Sequence, residues 1–355
     1  MPGRASSGRR SGGATRGRLP GIVLPDASQG GASQAAAPAN TASASDRVVH
    51  PGLRPGASRS VAQAGVIARF LVGPSDSIRL DSFRLAFGMA LTAYMAHWWL
   101  DEAAEWLTTA GFHLSPAAVG SAWLGLAPLP LWALGPFGTM FFAILIAFTI
   151  GWRLRWTAAL SFLFLLYVSH VDPLSSFTPN NLFLAGLAVL TMASSGRYWR
   201  VGEAPQGPVS VWPTRILQAT LILVYFTAGT CKAIHGDWLH DSHVLWVQVQ
   251  GPYRTEMASW LLGMLPQPVW TVLQALSLSF ELLAPLLFAV RRLRPLGYLW
   301  GAAMHLGIAI TMNELVYLSL QMVCFYLLFV EEDTLKRFWN RVAPLGRIEL
   351  ARHGQ

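Results

Sequence analysis

The chain has 355 residues, of which 53% are hydrophobic and only 12% charged, with a formal net charge of +8, and its mean hydropathy is +0.41. Soluble domains carry roughly 25% charged residues, so this composition excludes an ordinary water-soluble enzyme and requires burial in lipid. The excess charge is arginine in the N-terminal region and in short links between apolar runs, which is a membrane-topology pattern and not a nucleic-acid footprint. Cys231 and Cys324 make neither a disulfide framework nor a thiolate zinc pattern.

Residues 1–60 are rich in Gly, Ala, Ser, Pro and Arg and nearly devoid of bulky apolar side chains, which predicts a disordered basic tail. No apolar core follows Arg4 to Arg18, so no signal peptide is expected. Val61 to Val72 predicts a short interfacial helix, ended by the turn residues Gly73-Pro74-Ser75-Asp76. From there apolar runs alternate with polar links. A spanning helix needs about 20 residues, and helices are expected at about 82–100, 136–152, 155–171, 180–195, 214–232, 268–290, 295–313 and 315–331.

The predicted fold class is therefore all-α: a polytopic integral membrane helical bundle of about eight transmembrane helices over residues 61–335, with a short cytoplasmic tail over 336–355. Aromatic residues at helix ends, among them Trp98, Trp99, Trp152, Trp156, Trp199, Trp212 and Trp238, predict an interfacial belt. Trp106, Phe112 and Leu114 in the first outer link, and Val244 to Val249 in the third, predict segments lying on the outer face.

Arg153, Arg155, Arg197, Arg200, Arg215, Arg291, Arg292, Arg294, Lys336, Arg337 and Arg341 all fall on the side of the N-terminal tail, whereas the opposite links carry only Lys232 and Arg254. The excess of positive charge predicts a cell-membrane protein with both termini cytoplasmic. Arg84, at the inner end of the first helix, reads as a snorkelling anchor.

Three ionisable residues interrupt the apolar runs: Lys232, Glu281 and His305. Hydrocarbon offers such groups no water, so each needs a partner, a cavity or a proton, and they are the first candidates for function. Tyr225, Gly229 and Lys232 fall on one helix face, with Gly229 permitting close approach of a neighbour. Pro285 cannot donate to the Glu281 carbonyl and leaves that oxygen free. Glu281 and His305 stand at similar depth on consecutive helices; they read either as a pair that relays a proton or as a hydrogen bond that fixes packing. Lys232 reads either as a base or as a residue snorkelling to the outer interface.

The segment Tyr225-Phe226-Thr227-Ala228-Gly229-Thr230-Cys231-Lys232, followed by Gly236-Asp237-Trp238, resembles a motif of the HTTM (horizontally transferred transmembrane) domain. This is the membrane domain of vitamin K-dependent gamma-carboxylases and of bacterial relatives that include sporulation-delaying protein B. Ser82 to Gly88, Asn180-Asn181, Glu281 to Pro285 and His305 follow in the family's order, so that the likeness covers about residues 65–332.

The resemblance implies that Lys232 is a base toward reduced vitamin K or another quinol, with Glu281 and His305 beside it as catalytic residues and with Tyr225, Asn180 and Asn181 binding substrate. The carboxylase histidine after the paired asparagines is replaced here by Leu182, and little follows Glu332, which argues against full peptidyl-glutamate carboxylation. His235, Asp237, His240, Asp241 and His243 cluster in the outer link, but this segment is accounted for by the motif, and no metal site is expected. Two classes of function fit. One is a membrane enzyme acting on a quinol-like or other lipid-soluble substrate. The other is a non-catalytic accessory membrane protein for maturation of, or immunity to, a secreted peptide. The lipid bilayer is a partner in both, and nucleic acid in neither.

Overall fold

A computed structural model of the chain describes residues 65, 68–111, 113, 126–171, 178–193, 196–201 and 209–342. The tail expected over 1–60, residues Phe112 and Leu114, and residues 343–355 lie outside them. The described chain is all-α apart from a two-residue ladder in which β1 (Pro74–Ser75) runs antiparallel to β2 (Val209–Ser210).

The helices are α1 (Ile78–Asp101), α2 (Ala103–Leu107), α3 (Leu134–Thr149), α4 (Leu154–His170), α5 (Thr178–Met192), α6 (Trp212–His235), α7 (Val244–Val249), α8 (Glu256–Met264), α9 (Gln267–Ala289), α10 (Arg294–Thr311), α11 (Leu315–Tyr326) and α12 (Glu332–Val342). Each of the eight long apolar runs forms a helix, and α9 continues through Pro285. Among the described residues, three helices are long and apolar enough to cross a membrane by length and composition: Leu131–Thr149, which takes in a 3₁₀ turn before α3, then α6 and α9. A fourth arises if the bent pair Leu315–Phe329 and Glu332–Arg341 is one span.

Two helices lie beyond the expected eight in unanticipated places. α8 starts at Thr255, whose Oγ1 accepts the Ala258 N–H at 3.0 Å as an N-cap. α12 turns through 112° from the preceding helix, so the expected cytoplasmic tail begins as a helix. It docks on the start of α1: the Trp339 indole donates to Ser82 Oγ at 2.8 Å, and Lys336 pairs with Asp76 at 2.6 Å.

The basic links gather at one end of the bundle. Arg79 donates to the Val330 carbonyl, Arg291 pairs with Glu331, and Arg294 donates to the Phe288 and Phe329 carbonyls. Arg84 does not snorkel. It is fully buried, and donates to the carbonyls of Phe148, Thr149, Tyr198 and Trp199 at 2.6–3.3 Å, with Asp81 4.0 Å away. Asp81 in turn accepts the N–H groups of Gly196, Arg197 and Tyr198. Two charges thus satisfy the backbone of two links at once, the condition on which a buried pair is tolerated.

An aromatic core runs down the bundle axis, with Phe83 and Phe87 of α1, Phe183 of α5 and Phe325 of α11 at centroid spacings of 4.8–6.0 Å. Trp98 and Trp238 belong to the interior and not to an interfacial belt, whereas Trp152 and Trp156 are exposed as a belt requires.

Candidate functional site

The site forms where α6, α9, α10 and α11 meet toward the end of the bundle opposite the arginines. α6 and α9 approach closely because Gly229 has no side chain. A Cβ built there would stand 2.8 Å from the Glu281 Cβ and 3.1 Å from the Leu282 nitrogen, closer than packed carbons approach. The contact expected of Gly229 is thereby observed, and its partner is the residue that matters.

One turn further along α6, Lys232 Nζ donates to Glu281 Oε1 at 2.5 Å. The Glu281 side chain is 8% exposed and that of Lys232 31%, so the carboxylate is interior and the ammonium sits at the mouth. The lysine also stands 4.6 Å from the centroid of the Trp238 ring, a cation–π contact. It lies in the last turn of α6, where the helix dipole favours a cation. Trp238 is held by Gln274, whose amide donates to the carbonyls of Trp238 and Asp241 at 3.0 and 2.7 Å and whose oxygen accepts Leu245 N–H.

His305 is not bonded to Glu281. Its Nε2 lies 2.6 Å from the Tyr225 hydroxyl, which also lies 2.8 Å from the Tyr326 hydroxyl. Tyr225, Tyr326 and His305 are all buried, with the Tyr225 ring between Phe280 and Phe288. The Glu281–His305 contact, expected either as a proton relay or as a packing hydrogen bond, is therefore replaced by two units side by side: a Lys232–Glu281 pair and a Tyr326–Tyr225–His305 chain. Among the described residues, buried Glu281 Oε2 and His305 Nδ1 have no hydrogen-bond partner. A buried polar atom left unpaired costs about 1–3 kcal/mol, so each has capacity for a bond.

Beside the site an apolar cavity of about 270 Å³ opens between α9 and α10 under α7 and α8. Leu245, Leu261, Trp270, Leu273 and Trp300 line it together with Ser277 and Met304, which are 3.4 Å apart, whereas Lys232, Glu281 and His305 are not part of its lining. Ser277 is one helical turn from Glu281 on the same face, and Met304 precedes His305.

The remaining candidates fall elsewhere. Tyr225 is in the site, but as a buried link and not as a side chain open to a ligand. Asn180 is buried in the first turn of α5, next to Pro179, whose carbonyl accepts Gln321; Asn181 is exposed. In the outer link His243 pairs with Asp241 at 3.2 Å, both exposed, and among the described residues no three His, Cys, Asp or Glu side chains converge on a metal geometry. Sequence reasoning missed Tyr326 and Gln274. Tyr326 lies in an apolar run where a tyrosine reads as core, and its pattern alone carries no signal of the partner.

The model of the HTTM domain matches residues 73–333, more than half of the chain. The chain belongs to the HTTM domain family. Its apolar helices and this membership make it an integral membrane protein of gamma-carboxylase-like type. No curated protein and no solved structure matches it.

Proposed function

We propose that this HTTM domain is a membrane enzyme that takes a proton from a quinol-like or other lipid-soluble substrate, with Lys232 and Glu281 as the accepting pair and His305 beside them. The observation that carries this reading is a pair of buried atoms without a hydrogen-bond partner among the described residues, Glu281 Oε2 and His305 Nδ1, next to an ion pair that reaches the surface. An amine and a carboxylate in low dielectric share one proton between them and retain room for a second. In the proposed step the shared proton sits on Glu281 and leaves Lys232 a neutral amine; a substrate O–H bond breaks, its proton passes to the Lys232 nitrogen, and the substrate oxyanion stays beside the ammonium so formed. The apolar cavity fits the non-polar body of such a substrate. The eight long helices are proposed to cross the cell membrane, with the arginine-rich end and both termini cytoplasmic.

The test is organic extraction of protein purified from its native membrane, followed by mass spectrometry. A quinone or another lipid-soluble hydroxy compound recovered with the wild type and lost from Lys232→Met supports the reading. Equal recovery from both, or none from either, contradicts it. A second reading rests on the same ion pair: Lys232 and Glu281 satisfy each other, as a purely structural latch requires, which would leave an accessory protein for maturation of, or immunity to, a secreted peptide.

A further inference from the structure

α12 (Glu332–Val342) leaves the preceding helical segment at 112°. With α11 crossing the membrane, as proposed above, a helix nearly perpendicular to it lies along the bilayer surface at the arginine-rich end. Protein covers only part of its apolar side. Leu335 is buried, and Trp339 packs on Trp199 at a centroid distance of 4.5 Å while its indole donates to Ser82. Phe338, its ring centroid 5.0 Å from that of Trp339, is 53% exposed. At 3.6 residues per turn Phe338 stands about 60° round the helix from Leu335, so the apolar stripe continues past the surface it docks on and ends in a bare ring.

Two arginines border that ring. On the side away from Leu335, Arg341 lies about 60° and Arg337 about 100° from Phe338. Both are exposed, and among the described residues neither forms an ion pair; Arg337 donates to Thr334 Oγ1 at 3.3 Å, a neutral partner on its own helix. The other charges of α12 are engaged or turned away. Lys336 is held by Asp76 on the docked side, and Glu332 meets Arg79 at 3.8 Å and the Ser75 hydroxyl at 3.3 Å. Asp333 is about 140° from Phe338, on the face away from the ring. A phenyl ring at the edge of a docked helix, flanked by two guanidinium groups on long stems, matches an interface in which the ring meets acyl chains and the stems carry charge to the headgroups. Phe70, Leu71 and Val72, also exposed, border the same end, since Ser75 of β1 bonds Glu332.

We propose that the outer edge of α12 docks on the anionic headgroups of the adjoining leaflet, with Phe338 among the acyl chains and Arg337 and Arg341 against the phosphates. Each basic residue near an anionic surface strengthens binding about fivefold, so the two arginines together give about a 30-fold preference over zwitterionic lipid.

The experiment places photo-reactive benzoylphenylalanine at position 338 of the full chain, in nanodiscs of equimolar phosphatidylglycerol and phosphatidylcholine, and reads the adducts by mass spectrometry after irradiation. Phosphatidylglycerol adducts should exceed phosphatidylcholine adducts by roughly 30-fold. Adding Arg337→Gln and Arg341→Gln should bring the two to parity. Absence of lipid adducts, equal capture without the arginine substitutions, or an unchanged preference with them overturns the proposal. Irradiation in native membranes that links position 338 to a protein in place of lipid also overturns it. Wild type offers a measurement that needs no variant to fold: amide exchange over residues 332–342 should be slower in phosphatidylglycerol nanodiscs than in phosphatidylcholine ones, and equal exchange overturns the proposal.

Discussion

Lys232 of α6 and Glu281 of α9 are joined Nζ to Oε1 at 2.5 Å across the contact that Gly229 makes possible, with the Glu281 Cβ 2.8 Å from where a Gly229 Cβ would be. The motif glycine and the motif lysine thus act on one acidic residue, the first by letting its backbone come close and the second by meeting its charge. The stability consequences follow from burial. Glu281 is interior, whereas Lys232 reaches the surface, so removing the lysine strands a carboxylate and removing the acid leaves an ammonium near water. Lys232→Met should cost about 3 kcal/mol and Glu281→Gln about 1 kcal/mol, with the double variant recovering most of the loss. Thermal unfolding in detergent checks the cycle, and additive losses would show that the two groups do not interact.

Gly229→Ala should lower stability by about 1–3 kcal/mol through forced separation of α6 and α9. Gly307→Ala, where a Cβ meets open space, is the control and should be neutral or slightly stabilising. Equal midpoints for the two variants would refute the close approach.

Arg84 is predicted to be the least replaceable arginine. Arg84→Met strands buried Asp81 and frees four carbonyls at once, a loss of about 3–5 kcal/mol. Arg84→Lys should not restore it, since an ammonium lacks the planar fork that reaches two links. Monodispersity after solubilisation is the readout, and wild-type behaviour of the lysine variant would return Arg84 to a surface role.

How much of this was legible in the sequence depends on the kind of signal. Long apolar runs located the helices to within a few residues, as with 268–290 against Gln267–Ala289, because the hydrophobic signal is local and additive. α12 was hidden because its charged residues read as a tail, while the Leu335 and Trp339 face that docks it is visible only when α1 is beside it. Arg84 was misread for a similar reason: an arginine near the end of an apolar run looks the same whether it meets water or four carbonyls. At the site, Lys232, Glu281 and His305 stood out as ionisable residues in apolar runs, and Gly229 as a contact. That His305 bonds Tyr225 and not Glu281 is set by the rotation of α10, to which a pattern of hydropathy is blind.

The docking of α12 should depend on pH through Asp76 and Lys336, which lie outside the long helices. Burial raises the Asp76 carboxyl, but the hydrogen bond from Lys336, aided by the Ile78 N–H, outweighs it and leaves its pKa below the usual value. The hydrogen bond from the same pair raises the Lys336 ammonium against a small opposing effect of burial. A depressed acid contributes stability that is present above its unfolded pKa of about 3.9 and lost as pH falls through the folded one. A raised lysine contributes below about 10.4 and loses it as pH rises through its folded value. The thermal midpoint of wild type should therefore drop below about pH 4 more steeply than that of Asp76→Asn. Parallel curves for the two would contradict the pairing.

Topology follows from the gathering of the basic links at one end. Reporters fused after Arg155, Arg200, Arg294 and Arg341 should report cytoplasm, and one near Gly251 the opposite side. A cytoplasmic signal at Gly251 would overturn the orientation.

The proton-accepting role of Lys232 is tested most directly by Lys232→Arg in the native host, scored by complementation of the deletion phenotype at matched membrane abundance. Arginine keeps the positive charge, the bond to Glu281 and the contact with Trp238, and so keeps what a latch or a snorkelling anchor supplies. Its guanidinium does not give up a proton at accessible pH. The account predicts a stable, abundant protein that fails to complement. Full complementation by Lys232→Arg would contradict it and leave the pair as a structural latch.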